Sequence, residues 1–339
     1  MWYLGLSDSV DVIYGSSAGA LIGAYFLADQ LPHEGPEIYY KLLTSAGNAF
    51  IDKKALLRSC GLGLLDLRWK SLVSLVADHL GPPALNLDFL LQEIVGRRSP
   101  LNWERFWEKQ QRTPLKVVVS GLLSRSSVAL SAADGHFQSL EELCRCLKAS
   151  MLLPGLSGPP VQLRGRQAES PSLLHANWTE RSGRFFSRGR TFFGSEPFVD
   201  AQLFEPIPLR SAERDGCSHI LVLRTRADGQ RLTRPMSLLE RTMLRRYFSR
   251  KLGLPQLADY MLRLGHRAVY AEDVLRLNEA SADLSAASAS PGPKLLAVAL
   301  PPGALSLNPS PSPFLTPSLS CSLLSQGPRR WIAWSPRPA

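Results

Sequence analysis

The stretch Val12-Ile13-Tyr14-Gly15-Ser16-Ser17-Ala18-Gly19-Ala20 decides the fold. Residues 10–14 form a short, mostly apolar run suited to a buried strand, and Ala18–Leu27 has the length and small-residue content of a helix. Between them stands a G-x-S-x-G pattern, so the unit reads as strand, tight turn, helix, with Ser17 on the turn. Gly15 and Gly19 are expected to let strand and helix approach each other without side-chain clashes. Ser17 is then the candidate nucleophile. The helix N-terminus behind it, with the backbone N–H of Ala18, is expected to stabilise negative charge that develops beside the hydroxyl. The same pattern also fits a Gly/Ser turn that only packs, and a serine hydroxyl needs a base near neutral pH.

Outward from this turn, the hydrophobic spacing predicts helices over 36–46, 72–79, 88–95, 103–109 and 140–151, and strands over 115–122, 128–131 and 220–225. Strands separated by helices argue for an α/β fold whose parallel or mixed sheet is covered on both faces. With 339 residues, 45% of them hydrophobic and 20% charged, the chain is long enough for one large α/β domain or two small ones, and repeats or wholesale disorder are excluded. Residues 1–225 read as the main domain, interrupted at 161–196 by an Arg-, Ser- and Gly-rich insertion loop that carries a glycosylation sequon at Asn177. Residues 226–280 read as a basic helical extension. Residues 281–339 read as a disordered Pro/Ser-rich tail, with 11 prolines between 291 and 339.

The formal net charge is +10, and 30 of the 39 basic residues are arginine. Such an excess favours an anionic partner, a phospholipid surface above all, although a composition bias accounts for scattered arginines equally well. The clusters at 181–190 and 241–250 fit peripheral contact with a membrane or lipid droplet. Nucleic acid is a poorer partner, because no recognition motif or basic stripe interleaved with aromatics is present. Five cysteines without metal-site spacing point to free thiols in a reducing compartment, and neither a metal nor another cofactor is implied. The start lacks the marks of a signal peptide and no run reaches about 18 apolar residues, so the expected localisation is cytoplasmic.

A candidate base lies in Glu196-Pro197-Phe198-Val199-Asp200-Ala201, followed by Pro206-Ile207-Pro208. An Asp at a strand end can reach a catalytic turn on a neighbouring strand, and taken alone Asp200 reads equally as a turn or capping carboxylate. Together with the elbow and with Ala149-Ser150-Met151-Leu152-Leu153-Pro154-Gly155, this segment resembles the patatin-like phospholipase family, whose members use a Ser–Asp dyad without histidine. The resemblance rests on the ordered trio: the elbow, an A-S-x-x-x-P segment, and an acid followed by a Pro turn. It implies a three-layer α/β/α fold in which Ser17 attacks an acyl ester of a phospholipid or acylglycerol and Asp200 is the general base.

The chain departs from the family pattern in two places. Only fourteen residues precede Gly15, too few for a first strand and the family's Gly-rich oxyanion loop, so an N-terminally truncated sheet without that loop is expected. Ala201 stands where the family usually has Gly, which matters only if that position needs a positive φ. Two other readings stay open. Ser17, Asp200 and His219 follow the chain order of a Ser–Asp–His hydrolase. A catalytically inactive scaffold that binds lipid surfaces or protein partners would also retain these motifs.

Overall fold

Three consecutive β-branched residues, Val117-Val118-Val119 in the run Leu115-Lys116-Val117-Val118-Val119, build the strand on which the sheet is organised. The computed structural model describes residues 7–31, 33–52, 55, 83–163, 186–187, 190–191, 196–226, 236, 238–282 and 292–299. Its sheet contains β1 (Ile13–Ser16), β2 (Leu115–Gly121), β3 (Ser127–Leu130), β4 (Val161–Gln162) and β5 (Pro197–Asp200). β1 runs parallel to β2, whereas β3 and β5 run antiparallel to it, so the sheet is mixed. Val117, Val118, Val119 and Ser120 each have 0% exposure. Successive side chains of a strand point to opposite faces, so both faces of β2 are covered, as expected for an α/β fold.

The register along β2 determines where its neighbours end. β3 pairs with Val117–Ser120 and fills one edge there. β1 pairs with Leu115–Val118 and β5 with Val119–Gly121, and each overlaps the stretch held by β3. Both therefore lie along the opposite edge, one on its first half and one on its second. One runs parallel and the other antiparallel, so their carboxyl ends meet: Ser16 is opposite Val118, and Asp200 is opposite Val119.

Among the helices, α1 (Ala18–Leu27) leaves β1 directly and buries Ala20, Leu21, Ala24, Tyr25 and Leu27. Turns at Glu34–Glu37, Ile38–Leu42 and Leu43–Ala46 continue one another as α2, and α3 (Phe89–Arg98) and α4 (Trp103–Gln110) come next in the chain. α5 (Leu140–Met151) starts at an N-cap: Ser139 accepts the Glu142 N–H at 3.3 Å, and the Glu142 carboxylate reaches back to accept the Gln138 N–H at 2.7 Å. After β5 come α6 (Leu209–Arg214) and β6 (His219–Leu223). The basic segment forms α7 (Leu238–Leu244, continued by Arg245–Lys251), α8 (Pro255–Leu262) and α9 (Gly265–Ala282). Arg210 ties α6 to α9 through Asp273 at 3.3 Å and Glu272 at 2.8 Å. Residues 1–222 and 231–298 cluster as one unit, and few residues of the other, 223–230 and 299–339, are described.

Three expectations change. The first strand starts at Ile13 rather than Val10, because pairing begins opposite Leu115. The segment 161–196 opens with a strand and not a loop, Val161 and Gln162 pairing with Phe198 and Pro197; of the rest, Phe186–Ser187 and Arg190–Thr191 form a short ribbon. Within the segment read as a disordered tail, Lys294–Val298 is a strand beside β6, turning Leu295 and Ala297 onto Ile207, Val222 and Leu277. The helix expected at 72–79, the sequon at Asn177 and residues 300–339 lie outside the described residues.

Candidate active site

Ser17 stands immediately after β1 with φ 52° and ψ −124°, in the left-handed half of backbone space that a non-glycine residue adopts only under constraint. The constraint is the contact between strand and helix. A Cβ on Gly15 would lie 2.7 Å from the Ala20 backbone N and closer still to its Cα, so only glycine lets α1 start this near to β1. Gly19 does not share that role. A Cβ there meets nothing within 4 Å, and Gly19, like Ala18, is exposed, so of the two elbow glycines the close approach requires only Gly15. Ala18 and Gly19 lie in the first helical turn, where N–H groups have no intrahelical acceptor and remain available to an anion.

Asp200 closes β5 and reaches across the junction of the two strand ends. Its Oδ2 accepts a hydrogen bond from Ser17 Oγ at 3.2 Å, and its Oδ1 accepts the Gln202 N–H at 2.8 Å. The carboxylate thus caps the turn Ala201–Leu203 with one oxygen and meets the serine with the other. Asp200 is 3% exposed, and this burial pushes its carboxyl up to about 6, against the lowering effect of the Gln202 N–H and the Ser17 hydroxyl. At neutral pH the group is mostly ionised and still basic enough to accept a proton. Ala201 opens a helical turn, fully buried, and is not among the residues with positive φ, so alanine fits the place without strain.

Further hydrogen bonds hold the pair. Ser16 Oγ donates to the Pro206 carbonyl at 2.8 Å, joining the elbow to the turn after Asp200. The buried Ser120 hydroxyl donates to the Ala201 carbonyl and accepts the Phe204 N–H, each at 3.3 Å. Ser150 Oγ accepts the Ser17 N–H at 2.8 Å and donates to the Val118 carbonyl at 2.6 Å. The Leu152 carbonyl accepts the Asp200 N–H at 3.0 Å. Sequence reasoning singled out the segment around Ser150 as a motif but assigned that hydroxyl no contact, and it missed Ser16 and Ser120 altogether.

His219 does not join the pair. It opens β6, exposed, with Nδ1 3.0 Å from the neighbouring Ser218 Oγ, while Asp200 meets Ser17 with no imidazole between them. Among the described residues, no three His, Cys, Asp and Glu side chains converge as a metal site requires, and no helix is long and apolar enough to cross a membrane.

A serine on a strained elbow, hydrogen-bonded to a buried carboxylate and backed by a helix N-terminus, is an arrangement suited to acyl transfer. The patatin-like phospholipase family matches residues 1–213, a span that contains every residue of this site. The chain belongs to that family of lipid acyl hydrolases. A search of the curated proteins gave no match to it.

The two glycines of the elbow should behave differently. Gly15→Ala forces backbone against backbone and should destabilise the fold by about 1–3 kcal/mol or prevent folding. Gly19→Ala should leave the melting temperature unchanged or raise it slightly, since alanine is favoured over glycine in a helix by up to about 1 kcal/mol. Thermal melts of the two variants beside the wild type check this; equal losses would contradict the role given to Gly15.

Proposed function

We infer that the protein hydrolyses carboxylic esters of lipids, phospholipids or acylglycerols, with Ser17 as nucleophile and Asp200 as general base. The observation that carries this reading is the 3.2 Å hydrogen bond from Ser17 Oγ to Asp200 Oδ2 at the elbow. In the first step Ser17 Oγ attacks the ester carbonyl carbon and its proton passes to Asp200 Oδ2. The charge gathering on the carbonyl oxygen is met by the N–H of Ala18 at the start of α1. Collapse of the intermediate breaks the ester C–O bond, and the departing alkoxide takes the proton from Asp200. Water then attacks the acyl-serine, again giving a proton to Asp200, and release of the fatty acid returns that proton to Ser17 Oγ.

The substrate lies at an interface, and the reading includes peripheral contact with an anionic lipid surface. It is supported by α7, where Arg241, Arg245 and Arg250 are exposed while Leu244, Tyr247 and Phe248 turn into the core. Leu238, at the start of the same helix, is 82% exposed and offers an apolar contact beside the charges.

A fluorophosphonate probe should form a single adduct on Ser17, located by peptide mass spectrometry, and Ser17→Ala should abolish both adduct and ester hydrolysis. An adduct on another serine, or none on the wild type, would overturn the assignment. Binding to phosphatidylserine vesicles should weaken as salt is raised, and replacing Arg241, Arg245 and Arg250 together by Ala should lower partitioning by about 100-fold, at ~1 kcal/mol for each arginine. Binding indifferent to salt and to these substitutions would remove α7 from the lipid contact.

A further inference from the structure

The place where β1 and β5 meet contains a hydroxyl that the hydrolytic steps do not use. Ser150 is the penultimate residue of α5 and has 0% exposure. β1 stops pairing with β2 at Ser16, so the N–H of Ser17 leaves the regular ladder and needs another acceptor. Ser150 supplies it at 2.8 Å and passes the bond on to the Val118 carbonyl at 2.6 Å. One side chain thus extends the β1–β2 ladder by one link, through Ser17, whose backbone has turned out of the strand at φ 52°. Two residues on, the Leu152 carbonyl holds the N–H of Asp200 at 3.0 Å. The end of a single helix therefore grips both strand ends, the elbow through Ser150 and the carboxylate through Leu152.

We propose that Ser150 is a positioning residue that locks the turn of Ser17 and, with the Leu152 carbonyl, sets the separation of Ser17 Oγ from Asp200. It touches neither substrate nor the reacting oxygen, and acts through the Ser17 backbone. The proposal rests on the reading of Ser17 as nucleophile for its catalytic consequence, but the locked turn is a property of the backbone and can be measured without turnover. Ser150→Ala removes one buried oxygen and adds no bulk. It leaves the Ser17 N–H and the Val118 carbonyl without the hydroxyl that bridges them. The turn is then free to relax, and small displacements of a reacting group lower rates steeply.

The test uses the full chain in four forms: wild type, Ser150→Ala, Ser150→Thr, which retains the hydroxyl, and Ser211→Ala. Ser211 is a buried hydroxyl bonded to Glu205 at 2.7 Å and to neither Ser17 nor Asp200, and its loss reports what deletion of a buried hydroxyl bond alone does. Hydrogen exchange at the Ser17 amide should be slow in the wild type, at least about tenfold faster in Ser150→Ala, and slow again in Ser150→Thr and Ser211→Ala. The rate of fluorophosphonate labelling and kcat should fall by about 10- to 100-fold in Ser150→Ala with KM unchanged, and recover in Ser150→Thr. Wild-type protection of the Ser17 amide in Ser150→Ala overturns the proposal. So does faster exchange accompanied by an unchanged labelling rate, or a loss in Ser211→Ala as large as in Ser150→Ala. If the wild type takes no label at Ser17, the hydrolase function fails, and amide exchange alone decides for or against the locked turn.

Discussion

One edge of one strand is shared by two others, and the site exists because their ends meet there. β3 occupies the far edge of β2, so β1 and β5 are confined to the near one, and their opposite directions bring Ser16 to Val118 and Asp200 to Val119. A side-chain period of two makes such a register stringent, since a slip of one residue would turn Asp200 to the other face of the sheet. The close approach at Gly15 then turns the chain so sharply that the Ser17 hydroxyl reaches back over the junction. Burial on both faces of β2 holds this arrangement in place, with Val117, Val118 and Val119 wholly excluded from solvent.

The same burial that fixes Asp200 sets its chemistry. Withdrawing the carboxylate from water raises its pKa toward 6, and two donors, the Gln202 N–H and the Ser17 hydroxyl, keep it from rising further. The shift has a sign for stability as well. A carboxyl whose native pKa lies above its unfolded value favours the folded state while protonated, and that contribution is lost as pH rises through about 6. The ionised form that the proposed hydrolysis uses is thus held at some cost to the fold, as is the positive φ of Ser17.

Much of this was legible in the sequence, and the unreadable parts have a common cause. The elbow is local: apolar strand, glycine, serine, small-residue helix, all within fifteen residues. α5 has the bounds that hydrophobic spacing predicts, 140–151, and in the structure Ser139 caps its start. Asp200, which the structure brings to Ser17, stands out in the sequence by its place between an apolar pair and a Pro turn. The contacts of Ser150, Ser120 and Ser16 were not, because they join residues 32 or more positions apart and depend on register, which no local pattern encodes. Gly19 was given the work of Gly15 because spacing alone cannot distinguish a glycine facing a backbone from one facing open space. The strand at Lys294–Val298 went unread for the same reason: its inward residues, Leu295 and Ala297, find their partners on β6 and α9, far back in the chain.

The central claim is that a buried carboxylate near pKa 6 activates the elbow serine, and the pH dependence of adduct formation tests it most directly. With Ser17 labelling tracked by mass spectrometry, the rate should rise with pH through an inflection near 6 and then level off. Asp200→Asn should label far more slowly and lose the inflection. A wild-type rate without an inflection there, or an Asp200→Asn variant that labels as fast as the wild type, would contradict the account.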